Sequence, residues 1–277
     1  MTDNDIKQQV REFYDQVGWS QVAEGVYQNA RYEDLRPVAR EYIHKCHLRI
    51  LRHIPASGRY LLDAGSGPIQ YPEYLEYSKG YQKRVCADIS ITALKEARGR
   101  IGEHGLFVVA DIARLPFKDA AFDGLVTLHT IHHLPPEDHV PAYRGLHRVL
   151  AAGGRGAVVN GWDQPLMGRL LEAPIRLRKW LRRKKREQEG EDLPRKLAEN
   201  TGTHVEKYNA GWLLRQLRPH MKVRILVWRS VSVAVLRLYV QSALGGRLLL
   251  KILFWLEERL PGFFGRVGQY PLVVIEK

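Results

Sequence analysis

The spacing of apolar positions divides this chain into three regimes. In residues 5 to 20, Ile6, Val10, Phe13, Tyr14 and Val17 recur along one helical face, which predicts an amphipathic helix. Residues 36 to 54, entered near Pro37, carry Val38, Tyr42, Ile43, Leu48 and Leu51 in the same manner and predict a second helix. The aromatic and polar stretch Tyr27 to Tyr32 between them predicts an ordered loop. From residue 60 the pattern changes to short apolar runs at 60–63, 83–88, 106–110, 123–129 and 155–160. Helical-period segments at 91–101 and 137–150 separate them, with a short turn or helix near 71–79. Ser90 stands where an N-cap belongs. Such alternation predicts a parallel sheet with helices on both faces.

The alternation breaks after Gly161. Residues 163 to 200 form a basic, Leu- and Trp-containing insertion that ends in the acidic stretch Glu187 to Asp192. A helix at 210–218 and a strand at 222–233 restore the pattern, and 236 to 265 departs from it again. Within that stretch Leu248 to Leu256 is apolar nearly all round, which predicts a buried helix. Tyr270 to Glu276 closes the chain as a strand, with Pro271 near its start, where proline is tolerated. The expected parts are an N-terminal helical cap (1–55), an α/β core (56–162), a basic helical insertion (163–205) and a C-terminal part of the core (206–277) with its own insertion at 236–265.

Three of the apolar runs end in a carboxylate. Tyr60-Leu61-Leu62-Asp63-Ala64-Gly65-Ser66-Gly67 is a buried strand running into a glycine turn, an arrangement that brings backbone N–H groups close to a ligand at the edge of a parallel sheet. Asp88 and Asp111 follow the second and third runs. Three carboxylates on one sheet edge describe a nucleoside pocket, and Asp88 is placed to accept from both ribose hydroxyls. A dinucleotide fingerprint needs a third glycine where Gln70 stands, so a nicotinamide or flavin enzyme is disfavoured. His129, His132 and His133 follow the fourth run, on a strand end and not on one helical face. That placement argues against a metal site, and no metal is expected. Near neutral pH an imidazole there serves either as a general base or as a structural residue under the pocket.

These words in this order resemble the class I S-adenosylmethionine (SAM)-dependent methyltransferases, from about residue 58 to 161. Within that class they resemble the quinone-biosynthesis and small-molecule group. Ala110-Asp111-Ile112, Leu115-Pro116-Phe117, Ala121-Phe122-Asp123, Leu128-His129 and Leu146 to Gly154 carry the resemblance onward, the glycine pair Gly153-Gly154 ending a helix before the fifth strand. It implies a Rossmann-like three-layer α/β sandwich with a mostly parallel seven-stranded sheet, an antiparallel last strand, a helical N-terminal cap and helical insertions. It also implies a SAM cofactor, leaving as S-adenosylhomocysteine, held by Tyr14, Asp63, Ala64, Gly65, Ser66, Gly67, Asp88, Ile89, Asp111, Ile112, Leu128 and His129. Asp111 would lie beside the adenine amine and Ile112 would pack on the ring. Tyr14, in Phe13-Tyr14-Asp15, would close over the cofactor as a lid, with Tyr27 and Tyr32 as weaker candidates. His129 and His133 are the candidate catalytic residues, beside the sulfonium. The family usually has glycine at the position of Ile69, so the turn departs from the family there.

Composition alters this picture in one respect. A net charge of +13 predicts attraction to polyanions or to an anionic membrane. Eight basic residues crowd between Arg176 and Arg186, and Leu170, Leu171, Leu177, Trp180 and Leu181 interleave with them. A basic amphipathic helix with tryptophan fits an interfacial membrane contact better than a nucleic-acid patch, and the plain alternative is a solvated cap helix over the substrate pocket. Two cysteines make neither a disulfide framework nor a zinc site, and the start of the chain is polar, so a cytoplasmic protein, peripheral at most to a membrane, is expected. The expected activity is O- or C-methylation of a small or amphiphilic acceptor by in-line displacement at the sulfonium, by a monomer or homodimer. The alternatives are an RNA or other nucleic-acid methyltransferase and a non-catalytic SAM-binding protein. Against the nucleic-acid reading, Leu128-His129-Thr130-Ile131 is not the Asn/Asp-Pro-Pro-Tyr type of sequence, and no Pro-Cys pair is present.

Overall fold

The computed structural model describes residues 3–18, 21–23, 26–27, 33–177, 180–181 and 204–277. Helix α1 (Asp3–Phe13) passes into a π-helical turn at Tyr14–Gly18. Strands β1 (Gln21–Ala23) and β2 (Val26–Tyr27) form a small antiparallel ribbon. Helix α2 (Arg40–Leu48) leads to the sheet strands β3 (Gly58–Ala64), β4 (Tyr81–Asp88), β5 (Gly105–Val109), β6 (Phe122–Leu128) and β7 (Leu150–Val159). Between them lie α3 (Ile91–Ile101) and α4 (His139–Val149), and α5 (Leu166–Leu171) follows β7. The chain then forms α6 (Ala210–Leu217), β8 (Lys222–Arg229), α7 (Val233–Tyr239), α8 (Gly246–Arg259), α9 (Pro261–Val267) and β9 (Tyr270–Glu276).

The seven-stranded sheet has the order β5-β4-β3-β6-β7-β9-β8. Strands β3 to β7 pair in parallel, and β9 runs antiparallel to both β7 and β8. The expected antiparallel last strand is therefore present, inserted between two neighbours, with β8 at the outer position. Strand order reverses between β3 and β6, which opens a crevice at the carboxyl ends of the strands.

Side-chain alternation along the strands builds two cores. One face gathers Leu62, Val85, Leu125, Val158 and Val273 against Leu146 and Val149 of α4 and Leu213 and Leu217 of α6. The other gathers Leu61, Cys86, Val126, Ala157 and Val274 against Ile50, Ile54 and, on α3, Leu94 and Ala97. Two buried faces, each covered by helices, make the Rossmann-like three-layer sandwich expected from the sequence. The helix expected at 91–101 is α3, and the Ser90 hydroxyl caps it by accepting from Ala93 N at 3.1 Å.

Three local expectations are corrected. Gly153 and Gly154 lie inside β7, which starts at Leu150 directly after α4; the register slips there and Gly153 takes φ +76°, so the pair makes a bulge and not a helix-ending turn. The strand expected over 222–233 stops at Arg229, because Ser232 caps α7 by accepting from Val235 N. The helix around 248–256 is not buried: only Gly246, Leu250 and Glu257 of α8 are enclosed, while Leu248, Leu249, Ile252 and Trp255 face outward. The inner side of α8 packs with α2 and α7 in a third cluster that includes Tyr42, Cys46, Val235 and Leu236. In the basic insertion, Leu177, Trp180 and Leu181 are exposed, and Arg182 to Arg186 lie outside the described residues.

Candidate active site

The turn after β3 shapes the crevice. Gly65 and Gly67 adopt φ +72° and +56°, where a Cβ is disfavoured. A Cβ on Gly65 would also lie 2.3 Å from the Thr130 side chain, across the gap between β3 and β6. Ile69 takes φ +56° with its side chain fully buried, so a β-branched residue holds the conformation that a glycine adopts without strain. Burial in the core beneath Tyr74 and Tyr77 offsets that strain.

Asp88 secures the turn from the next strand. Its Oδ2 accepts from Gly67 N and its Oδ1 from Ser90 N, each at 2.9 Å. Burial pushes its carboxyl up to about 6, because these two N–H groups only partly replace lost water. Asp63 is placed differently. It borders the cavity, but its carboxylate is held by the guanidinium of Arg84, and both are buried. Its part in the site is to brace the strand end. Asp111 accepts from Ala113 N at 2.9 Å and pairs with Lys7 of α1 at 2.6 Å; Lys7 also reaches Asp138 at 2.5 Å. Both oxygens of Asp111 thus already have partners within the chain.

These groups line one cavity of about 370 Å³. Of the residues expected to hold a cofactor, Tyr14, Asp63, Gly65, Ser66, Gly67, Asp88, Ile89, Asp111, Ile112, Leu128 and His129 line it. Ala64 does not; it is buried in the core below. The side chain of Tyr27 and all of Tyr32 lie outside the described residues.

The far end of the cavity is aromatic and basic. His129 directly follows β6 at φ +57°, a strained backbone for a non-glycine residue, and its ring lies against Trp228 and Tyr270 at centroid distances of 5.2 and 5.4 Å. Burial pushes His129 down to about 3 and His133 to about 4, so both imidazoles are neutral near pH 7. His133 Nδ1 lies 2.8 Å from the carbonyl oxygen of His204, which can only accept, so Nδ1 carries the proton. Its Nε2 then accepts from the Tyr14 hydroxyl at 2.8 Å. The expected lid tyrosine and the expected catalytic histidine thus meet. Asp15, next to Tyr14, accepts from the Ser90 hydroxyl at 2.5 Å. Helix α1 and its π-turn are tied down at both ends of the cavity.

Several lining residues escaped the sequence reading: Lys7, Tyr71, Thr130, Lys207, Arg229 and Tyr270. Arg229 carried a usable signal, since it ends a buried strand on the same edge as Asp63 and Asp88. It pairs with Glu33, and its guanidinium lies 4.7 Å from the Tyr270 ring centroid. Among the described residues no group of three or more His, Cys, Asp or Glu is placed to hold a metal ion.

Residues 62–158 match the family model described as a methyltransferase domain. Methyltransferase GfsG of Streptomyces halstedii is 32% identical over 110 residues, 38% of this chain and 38% of that protein. Among solved structures, phosphoethanolamine N-methyltransferase 1 of Haemonchus contortus, in complex with phosphoethanolamine and S-adenosylhomocysteine, superposes with a TM-score of 0.59 at 11% identity, over 100% of this chain and 50% of that one. Geranyl diphosphate C-methyltransferase of Streptomyces coelicolor A3(2) superposes with 0.53 at 13% identity, over 98% and 97%. The match to the curated relative spans well under half of its length, and the distant structures share the fold alone. Residues 62–158 are thus similar to the methyltransferase-domain family, and the chain has the Rossmann-like fold of these structures.

Proposed function

We propose that this chain transfers a methyl group from SAM to an oxygen or carbon of a small or amphiphilic acceptor. One observation carries the reading: a single cavity joins the Asp88 end to the half-buried groups His129, His133, Lys207 and Tyr270. The donor set suits the nucleoside, since Asp88 is a half-buried carboxylate whose pKa is raised, and a ribose diol offers it two donors. When bound there, SAM supplies a methyl group already activated by the positive sulfonium.

The chain's own residues do the rest. Asp88 accepts from the ribose, the Gly65–Gly67 turn lets backbone approach the amino-acid part, and Ile89 and Ile112 flank the base. Phe13 and Tyr14 cover the cavity and exclude water. A neutral His133, with Nδ1–H fixed on the His204 carbonyl, presents Nε2 as the base. An acceptor hydroxyl that hands its proton to Nε2, directly or through the Tyr14 hydroxyl, is left as the nucleophile. The chamber's enclosure by α1 favours a small acceptor over a base within a nucleic acid.

The test is incubation with methyl-labelled SAM and a whole-cell extract, followed by partition of the label. Label in the organic or small-molecule fraction, abolished by Asp88→Ala, is the expected result. Label in nucleic acid would overturn the reading.

A further inference from the structure

We propose that the outward face of α8, with Leu244 before it and Phe263 after it, is a docking surface for an anionic lipid bilayer. This surface lies outside the cavity, and the proposal does not depend on the reaction assigned there.

The inner face of α8 is fixed first. Glu257 is fully buried and accepts from Tyr42 Oη at 2.7 Å and from Ser230 N at 2.9 Å, and it pairs with Arg49 at 2.8 Å. Leu250 packs in the same cluster. With that side inward, helical geometry turns Leu248, Ile252, Trp255 and Arg259 outward along one line, at i, i+4, i+7 and i+11. Leu248, Ile252 and Trp255 are 63%, 49% and 55% exposed, where a surface helix ordinarily carries polar side chains. Leu244 at 81%, with Leu249, Leu260 and Phe263 also exposed, extends the patch beyond both ends of the helix. An apolar stripe of this extent marks an interaction surface.

Charge selects the occupant. Arg247, Lys251, Arg259 and Arg266 are exposed in the same stretch, and the Arg259 guanidinium lies 5.4 Å from the Trp255 ring centroid. The acids between Ser242 and Gly268 are Glu257, buried, and Glu258, paired with Arg49 and Arg52. Within this stretch the rim is therefore cationic with no carboxylate left over, and Glu41 of the neighbouring α2, which lies near Lys251 and Arg247, is already paired with Lys45. A second copy apposed here would set cation against cation. A surface of anionic headgroups over acyl chains matches both the rim and the stripe, with tryptophan at the boundary. No described helix is long and apolar enough to cross a membrane, so α8 would lie in the plane of the interface.

The test is flotation of the full chain with two kinds of vesicle: phosphatidylcholine alone, and phosphatidylcholine with an equal part of phosphatidylglycerol. Binding to the anionic vesicles at least about tenfold stronger than to the neutral ones is expected. Trp255→Glu should weaken it about tenfold or more, and a paired Arg247→Glu, Lys251→Glu variant should erase the lipid preference. An unchanged circular dichroism spectrum and unchanged S-adenosylhomocysteine affinity would show that each variant folds. Absence of flotation, equal binding to both vesicles, or intact anionic binding in folded Trp255→Glu would overturn the proposal. So would a wild-type dimer that does not float and that Trp255→Glu converts to monomer.

Discussion

The two ends of the cavity are built by opposite strategies. At the end proposed for the nucleoside, the strand, its terminal acid and the turn that follows sit in short runs of sequence, with Lys7, which reaches Asp111 over 104 residues, as the exception. Asp88 reaches Gly67 only 21 residues away and Ser90 only 2 away. At the acceptor end the partners come from across the chain. Tyr14 meets His133 over 119 residues, and Arg229 meets Glu33 over 196. A local arrangement forms wherever its own strand and turn form. A dispersed one exists only once the whole sandwich has closed; among the described residues none of 163–177 or 236–265 lines the cavity, so the partners come from the frame itself.

Asp63 offers the sharpest way to break that contrast, because it belongs to the nucleoside motif in sequence but to the frame in structure. Asp63→Asn should leave the Arg84 charge buried and unpaired and cost about 3–5 kcal/mol, read from the urea midpoint. A loss confined to cofactor affinity, with stability intact, would return Asp63 to the ligand. At the acceptor end, His133→Ala should slow methyl transfer roughly 100-fold while S-adenosylhomocysteine affinity, by calorimetry, changes within about threefold. A comparable loss in both would mean that the two ends are not separable.

The pH dependence divides them next. Asp88 titrates near 6 in the free protein, and a ribose that donates to the carboxylate favours its charged form. Nucleoside affinity should therefore fall as pH drops through about 6, by at most about tenfold per unit, and Asp88→Asn should flatten the slope. His133, held down near 4, stays neutral over that range and adds no slope of its own. Ile69→Gly is the mildest test. Losing a buried side chain costs about 3 kcal/mol and relief of the left-handed backbone returns about 1–2, so a net loss of about 1–2 kcal/mol is expected from denaturant unfolding. A gain would show that backbone strain outweighs the core contact.

The same contrast explains what the sequence revealed. The parallel sheet, the capped helix at 91–101 and the Asp88 and glycine-turn positions are local patterns, and each was legible. The positive φ of His129 was not, because strain depends on what surrounds the strand end and not on the residue's own preference. Nor was the pairing of Asp111 with Lys7, which needs α1 to be laid across the sheet edge. The burial of Leu248 to Leu256 was misjudged for a related reason. An all-round apolar helix tells how much surface seeks cover, and not whether this chain alone supplies the cover.

Helix α1 connects the halves that are otherwise separate. Lys7 holds Asp111 and Asp138, while Tyr14 and Asp15 of the π-turn that continues α1 hold His133 and Ser90, so helix and turn together are latched over both compartments. On the proposed reading, exchange of the nucleoside requires these latches to open. A steady-state rate that falls with solvent viscosity would then mark α1 as a gate, and viscosity becomes as informative about this protein as the identity of its acceptor.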